Sequence, residues 1–211
     1  MSIARNEPVT NRPPAAEPLE DATAILLLSS ALDPGAGEAC SNLLSLAPGR
    51  GRDRVLAISF TKTADDRLAT WESCGAGHVP AEVGVVGGPE AVPTDTSCRG
   101  HDADVSIATV DHPGNLTQLG VAISEYLDAW DDGDGLAVCF HSLTTLLQYA
   151  DRDCVFRFLN VLTRELADAD AVAHFHMDPG AHDDETLATL VPVFDAVVET
   201  DGDEWTVSAP V

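Results

Sequence analysis

Histidine and acidic residues recur in the last third of the sequence in a pattern that could hold a metal ion. His174 and His176 alternate along an apolar run, and such residues on a β-strand project from the same face. Four further residues are expected at the same sheet edge: His141, Asp178, His182 and Asp183. A zinc hydrolase needs three protein ligands and a carboxylate base, and no H-E-x-x-H signature accompanies these residues. We therefore favour packed histidines without a metal, and keep His174, His176 and His182 as alternative metal ligands.

A glycine-bearing turn after the first apolar run is a second place where chemistry could occur. The turn reads Asp33-Pro34-Gly35-Ala36-Gly37-Glu38-Ala39. Between a strand and a helix, such a turn presents backbone N–H groups that can hold phosphate. Glu38 opposes that use, because two like charges 4 Å apart cost about 4 kcal/mol at an effective dielectric constant near 20. These residues favour a structural turn over a nucleotide site.

Both candidate sites depend on a sheet whose strands end at the same edge. Short apolar runs alternate with amphipathic stretches, which predicts parallel β-α-β units with helices on both faces of the sheet. We predict the main strands at 24–30, 54–60, 104–110, 136–140 and 171–176. The helices are predicted at 38–46, around 67–71, and at 116–130, 151–166 and 183–191, with Asp151 and three acidic residues near 183 at helix starts. In such folds, ligands bind beyond the carboxyl ends of the strands.

Two parts of the chain have less regular patterns. Residues 75–104 are rich in Gly, Pro and Asp, and predict a short strand at best through Val83, Val85 and Val86. The end of the chain predicts a closing hairpin, with strands at 194–200 and 204–208 around Asp201-Gly202.

Length and composition predict one domain. A chain of 211 residues supports one ordinary core, and 45% hydrophobic residues argue against wholesale disorder. Residues 1–22 carry four prolines among small, polar and acidic residues, and predict a disordered tail. Residues 23–211 are then a single α/β domain.

The charge of the chain is strongly one-sided. Its 35 acidic residues face ten arginines and a single lysine, Lys62, and the formal net charge is -24. Such a surface is typical of a salt-adapted protein, because in molar salt the Debye length falls to about 3 Å and carboxylates no longer repel each other strongly. Direct binding to DNA or RNA is disfavoured, because the basic surface that phosphates require is missing.

The cysteines and the hydropathy pattern indicate a cytoplasmic location. Five cysteines are present, an odd number, and none forms a C-x-x-C pair, which favours reduced thiols: Cys40, Cys74, Cys98, Cys139 and Cys154. Most lie in apolar runs and are interpreted as small core residues. No apolar run approaches the roughly 18 residues that span a bilayer, and the N-terminus has no apolar signal core.

The glycine turn resembles the P-loop of RecA/KaiC-like proteins, which belong to the P-loop ATPase superfamily. The Pro-Gly-x-Gly centre, residues 34–37, matches the KaiC-like version of that loop. Three positions with chemical roles in the family differ. Leu32 replaces the first glycine, Glu38 replaces the lysine that holds the phosphates, and Ala39 replaces the hydroxyl that binds magnesium. The resemblance therefore implies a degenerate P-loop.

The segment LAVCFHSLTTLL, residues 136–147, is similar to the Walker B strand of the same family. In that strand an apolar run ends in Asp-Ser-Leu-Thr. His141 occupies the Asp position, whereas Ser142 and the two residues after it match. The resemblance implies that the acidic residue of this strand has been lost.

Two further segments extend the resemblance over most of residues 23–200. The run at 55–60 resembles the strand before a catalytic Glu pair, but Thr61 and Lys62 follow it. The segment FDAVVE, residues 194–199, is similar to the late strand of the family. The whole chain is also similar to uncharacterised haloarchaeal proteins of this class.

The resemblance implies a three-layer RecA-like α/β fold. Its central sheet is mostly parallel, with helices on both faces and a C-terminal β-hairpin. It also implies a strand order in which the strand at 171–176 lies between those at 24–30 and 136–140.

From the positions that differ from the P-loop and Walker B patterns, we predict a non-catalytic regulatory or protein-interaction module with a lost ATPase site and no cofactor. Its partner would be an unidentified protein, and the sequence does not indicate an oligomeric state. The vestigial nucleotide-binding residues are Asp33, Pro34, Gly35, Ala36, Gly37, Glu38, Ala39, His141 and Ser142. Two alternatives remain: a nucleotide-binding protein or ATPase that uses ATP and magnesium through unorthodox residues, and a metal-dependent hydrolase at the histidines.

Overall fold

Eight strands form one sheet in a computed structural model, which describes residues 19, 21–46, 53–73, 80–89, 103–130, 136–202 and 204–210. The strands are β1 Ala24–Leu28, β2 Arg54–Ser59, β3 Glu82–Gly87, β4 Asp104–Thr109, β5 Leu136–His141, β6 Ala171–Met177, β7 Ala196–Asp201 and β8 Glu204–Ser208. Their order is β4-β3-β2-β5-β6-β1-β7-β8, and every neighbouring pair is parallel except the β7–β8 hairpin.

Helices cover both faces of this sheet. They are α1 Ala36–Leu44, α2 Ala64–Ser73, α3 Leu116–Ala129, α4 Leu143–Leu146, α5 Arg152–Asp168 and α6 Asp184–Leu190. α1 and α2 pack on one face, and α3 to α6 pack on the other. Alternate residues of each central strand therefore enter different cores: Leu26 of β1 faces α3 to α6, whereas Ile25 and Leu27 face α1. The fold is the three-layer α/β fold with a mostly parallel sheet and a C-terminal hairpin that the sequence predicts.

The predicted strand order is confirmed. β6 lies between β1 and β5, with Leu26 opposite Phe175 and Cys139 opposite His174. The strand that follows the Walker B-like strand is thus inserted beside the strand before the glycine turn. This order brings the carboxyl ends of β1, β6 and β5 together at one edge.

The prediction for residues 75–104 underestimated β3. The segment Glu82–Gly87 is a full six-residue strand between β2 and β4, and its last five residues are buried. Gly84 weakened the apolar pattern in the sequence, but the position requires glycine. A Cβ atom there would lie only 2.6 Å from the Tyr126 ring of α3. The strand therefore has glycine at the position where the Tyr126 ring of α3 packs against the sheet.

The helices predicted to begin near Asp151 and Asp183 are both present, but only Asp183 caps its helix through its side chain. Asp183 precedes α6 and its carboxylate accepts a hydrogen bond from the Thr186 N–H at 2.8 Å. Asp151 precedes α5, but its side chain makes no capping hydrogen bond. The other predicted helices and strands are present, with bounds that differ by a few residues.

The C-terminal hairpin is attached to β1 through one carboxylate. Asp195, in the segment that resembles the late family strand, accepts hydrogen bonds from the Thr23 N–H at 3.0 Å, the Thr23 hydroxyl at 3.0 Å and the Ala24 N–H at 2.9 Å. β7 then pairs with β1 in parallel. The hairpin is consequently held against the strand that leads into the glycine turn.

Some predictions fall on residues outside the described ranges. These are residues 1–18 and 20 of the predicted tail, residues 75–79 and 90–102 of the irregular region, and Cys74 and Cys98. Within the tail, Leu19 and Ala22 are buried beside Leu27 and Val198. No helix in the described part of the chain is long and apolar enough to cross a membrane.

Candidate functional site

The glycine turn after β1 is closed by its own aspartate. The Asp33 carboxylate accepts a hydrogen bond from the Gly35 N–H at 2.8 Å and another from the Thr200 hydroxyl of β7 at 2.7 Å. Both carboxylate oxygens are therefore used within the protein. The first bond occupies a backbone N–H of the loop that, in a working P-loop, faces phosphate.

A second carboxylate reaches the same loop from the end of β6. Asp178 accepts a hydrogen bond from the Ala31 N–H at 2.9 Å through one oxygen, and from the Gly180 N–H at 2.9 Å through the other. It lies 147 positions from Ala31 in the sequence, so sequence analysis assigned it to the histidine group instead. The structure shows that Asp178 ties the glycine turn to the strand beside β1.

The residues that begin α1 carry no group for phosphate or magnesium. Gly35 is the N-cap residue, and no side chain caps the helix. Glu38 lies half-buried in the first turn, where its charge is favourable beside the positive end of the helix. Ala39 is fully buried and offers no oxygen. The exposed Leu32 and Pro34 lie at the surface of the loop.

The end of β5 places a neutral histidine at the Walker B position. Burial lowers the pKa of His141 to about 2, and the neighbouring His176 adds to that shift by electrostatic repulsion. The centroids of the two rings lie 4.7 Å apart, and the buried Nδ1 atom of His141 has no hydrogen-bond partner within the part of the chain that the structure describes. The Ser142 hydroxyl caps α4 by accepting a hydrogen bond from the Thr145 N–H at 3.2 Å.

The end of β2 brings two cations to the same edge. Lys62 occupies a position where the resembling family has an acidic residue, and Ser59 holds its turn through a hydrogen bond to the Lys62 carbonyl at 3.1 Å. Arg67 of α2 is only 2% exposed. Its Nη2 donates to the Ser59 hydroxyl at 3.5 Å, and its buried Nε has no hydrogen-bond partner among the described residues. A charged group so buried is unusual without an anion beside it.

All of these strand ends border one cavity of about 370 Å³. Asp33, Ala36 and Gly37 line it from the glycine turn. The remaining lining includes Lys62, Arg67, His141, Ser142, His176 and Asp178. The cavity thus occupies the place at the carboxyl edge of the sheet where α/β folds bind ligands.

A thiol–imidazole cluster borders this cavity through Cys40 and His176. Its members are Cys40 of α1, Cys139 of β5, and His174 and His176 of β6. The Cys40 and Cys139 sulfurs are 3.5 Å apart. His174 Nε2 is 3.3 Å from the Cys40 sulfur, and His176 Nε2 is 3.7 Å from the Cys139 sulfur. All four side chains are buried.

Hydrogen bonding shifts the pKa values of the two thiols in opposite directions. The hydrogen bond between them lowers the pKa of Cys40 well below its usual range, with a further contribution from the nearby charge of His174. The same hydrogen bond, together with burial, raises the pKa of Cys139 well above its usual range.

The structure brings together only part of the predicted histidine group. His174 and His176 are neighbours, with ring centroids 5.1 Å apart. His182 lies elsewhere, where its Nε2 is 3.1 Å from the Thr144 hydroxyl. Cys40 and Cys139 complete the cluster in its place. The sequence carried a signal for Cys139, since it pairs with His174 in adjacent strands and shares its face of the sheet.

Comparisons with known proteins support the fold without specifying an activity. A family model described as "Family of unknown function (DUF7504)" matches residues 22–200. A structure from Pyrococcus horikoshii OT3 is similar with a TM-score of 0.54 and 10% identity, over 90% of this chain and 87% of that one. The flagellar accessory protein FlaH from Methanocaldococcus jannaschii has a TM-score of 0.49 and 13% identity, over 88% and 75%. No curated protein matches the chain.

Proposed function

This chain belongs to the family of unknown function DUF7504, and we propose that it is a non-catalytic RecA/KaiC-like module that works by binding rather than by hydrolysing ATP. The observation that carries this proposal is the closed glycine turn. The Gly35 and Ala31 N–H groups already donate to the carboxylates of Asp33 and Asp178.

A triphosphate would have to displace these two carboxylates and then remain close to them. Each like-charge contact at 4 Å costs about 4 kcal/mol at an effective dielectric constant near 20. Molar salt reduces this repulsion without changing its sign. The loop therefore already uses two of its backbone donors on carboxylates, which lowers its affinity for phosphate.

The magnesium ion of a P-loop ATPase also lacks its ligands. The residue at the hydroxyl position is the buried Ala39, and the residue at the Walker B position is the neutral His141. Magnesium prefers oxygen ligands, and a neutral imidazole supplies neither the oxygen nor the charge of a carboxylate. Without that ion, the charge that develops during phosphoryl transfer is not stabilised.

The first test is ATP hydrolysis. Wild-type protein in molar KCl with magnesium and ATP is expected to release no phosphate above a protein-free blank. An ATPase that works in the same salt serves as the positive control. An ATPase activity that co-elutes with the protein, rises with protein concentration and saturates with ATP would contradict the proposal.

If the protein does not hydrolyse ATP, its role is to regulate or to bind another protein. The fold keeps its sheet edge, its cavity and its exposed loop, and Leu32 at the tip of that loop is 91% exposed. Binding of a partner through these features requires no catalytic residues. The partner that we propose is a protein.

One observation favours a second function, the binding of an anion without magnesium. Lys62 and Arg67 both line the cavity, although the chain carries only 11 cations. The unpartnered Nε of the buried Arg67 guanidinium is a donor that an anion could satisfy. A nucleotide or phosphate held in this way would contact α2 and the end of β2 rather than the glycine turn.

Calorimetric titration with ADP and with inorganic phosphate in molar KCl tests this second function. If an anion binds, Lys62→Gln is expected to weaken binding about tenfold, the effect of losing one charged hydrogen bond. Arg164→Gln is the matched control, because Arg164 is exposed on α5, away from the residues that line the cavity. Equal affinities for wild type and Lys62→Gln, or no heat with either ligand, would rule out this mode of binding.

A further inference from the structure

We infer that the thiol–imidazole cluster binds a structural zinc ion. This inference goes beyond the proposed function and does not depend on it. The cluster joins three elements of the fold, since its members come from α1, β5 and β6.

The distances between the cluster's donor atoms fit a tetrahedral metal site. Zinc lies about 2.3 Å from sulfur and about 2.0–2.1 Å from nitrogen, so tetrahedral ligands are about 3.8 Å apart for two sulfurs and about 3.6 Å for sulfur and nitrogen. The structure gives 3.5 Å between the Cys40 and Cys139 sulfurs, and 3.3 and 3.7 Å for the two sulfur–nitrogen contacts. All four donor atoms lie within 4.8 Å of one another.

The secondary structure sets these donors in place without the help of a metal. His174 and His176 are two positions apart on β6 and therefore share a face. Cys139 is the register partner of His174 on β5, so its sulfur lies on that same face. α1 covers this face and contributes Cys40 from its buried side. The site is thus organised by the sheet and one helix rather than by a short sequence motif.

The donor types select the ion. Two thiolates with two imidazoles suit zinc, whereas magnesium and calcium prefer oxygen. The cluster is buried, with Cys139 fully buried, Cys40 and His174 each 2% exposed and His176 6% exposed, although Cys40 and His176 also border the cavity. Four protein ligands fill a tetrahedral zinc ion and leave no position for water, which is the arrangement of structural rather than catalytic sites. The ion would therefore fix α1 to the two strands and would not support the hydrolase alternative.

Metal content is the first measurement. Full-length protein purified in molar KCl without chelators is expected to contain about one zinc ion per chain, measured by inductively coupled plasma mass spectrometry. Cys40→Ser and Cys139→Ser are each expected to lose this zinc. Cys154→Ser is the matched control, because Cys154 is a free thiol on α5 outside the cluster, and it is expected to keep the zinc.

A spectroscopic measurement on the wild type keeps the test decisive if the serine variants do not fold. After chelation under reducing conditions, addition of Co²⁺ is expected to give the visible bands of tetrahedral cobalt and a near-ultraviolet thiolate-to-cobalt band. Zn²⁺ should then remove both. Cys154→Ser should give the same spectrum as wild type.

Two results would overturn the inference. One is reduced wild-type protein that retains no zinc after incubation with excess zinc and dialysis, and gives no cobalt spectrum. The other is isolation of a Cys40–Cys139 disulfide from protein purified without reductant, which would assign the pair to redox chemistry. Neither result depends on whether the protein hydrolyses ATP.

Discussion

Dialysis of the protein from molar KCl into dilute buffer is expected to unfold it. The net charge is -24, and pairing every cation with a different acid would leave 24 of the 35 acidic residues without a partner. One of those cations, Arg67, is buried beside the cavity and does not neutralise the surface. Arg152 does pair with Glu185 at 2.9 Å, but such exposed pairs are worth little.

The size of this effect follows from screening. The Debye length is about 30 Å at 0.01 M salt and about 3 Å at 1 M. For a charged sphere of roughly 20 Å radius, compared with an expanded chain, the repulsion that opposes folding is roughly 20 kcal/mol larger at the lower salt. A typical native state is stable by about 5–15 kcal/mol. Even a fraction of that added repulsion is enough to unfold the domain.

Far-ultraviolet circular dichroism and thermal melting across the salt series provide the measurement. The helical signal is expected to fall during dialysis and to return when KCl is restored. Dilute buffer with sucrose is the control, because sucrose favours burial without screening charge. An unchanged spectrum and melting temperature in dilute buffer would show that the acidic surface does not limit stability.

The sequence predicted the fold well because the fold depends on local periodicity. Apolar runs such as those of β1 and β5 are buried on both faces, which their composition requires in a parallel sheet. The strand order came from the family resemblance, and periodicity alone implies only that the strands are parallel. The prediction underestimated the length of β3, where Gly84 has no side chain because Tyr126 takes that space. Such a contact depends on tertiary packing and leaves no periodic signal.

The candidate site was less predictable because its contacts are long-range. The bond between Ala31 and Asp178 spans 147 positions, and that between Asp33 and Thr200 spans 167. The sulfurs of Cys40 and Cys139 meet across 99 positions. Residue types suggested which groups were absent from the P-loop. The packed sheet shows which groups surround the glycine turn.

The glycine turn therefore has the sequence pattern of a phosphate-binding loop but the contacts of a packed structural turn. Its Pro34-Gly35-Ala36-Gly37 centre suggests phosphate binding, whereas its neighbours in the structure are the C-terminal hairpin and Asp178. If the turn serves packing, its glycines should matter for stability in the absence of any nucleotide. Gly35 is the residue that tests this most directly.

Gly35→Ala is expected to destabilise the protein by about 1–3 kcal/mol, the usual effect of overpacking. Gly35 has an ordinary helical φ of -76°, so alanine suits its backbone and the conflict is one of space. A Cβ atom there would collide with the Gly202 carbonyl oxygen in the β7–β8 turn, and that backbone atom cannot rotate away. The hairpin would have to move, which would strain the bond between Asp33 and Thr200.

Urea denaturation in molar KCl, without nucleotide, measures the effect of Gly35→Ala against a matched glycine. Gly120 lies inside α3, where an added Cβ would make an ordinary contact 3.7 Å from the Phe158 ring. Gly120→Ala is therefore expected to stabilise the protein by up to about 1 kcal/mol through helix propensity. The two substitutions add the same methyl group and should shift the denaturation midpoint in opposite directions. If Gly35→Ala were as stable as wild type, the hairpin would not be packed against the turn as the structure shows, and the glycine would need another explanation, such as close approach to a bound anion.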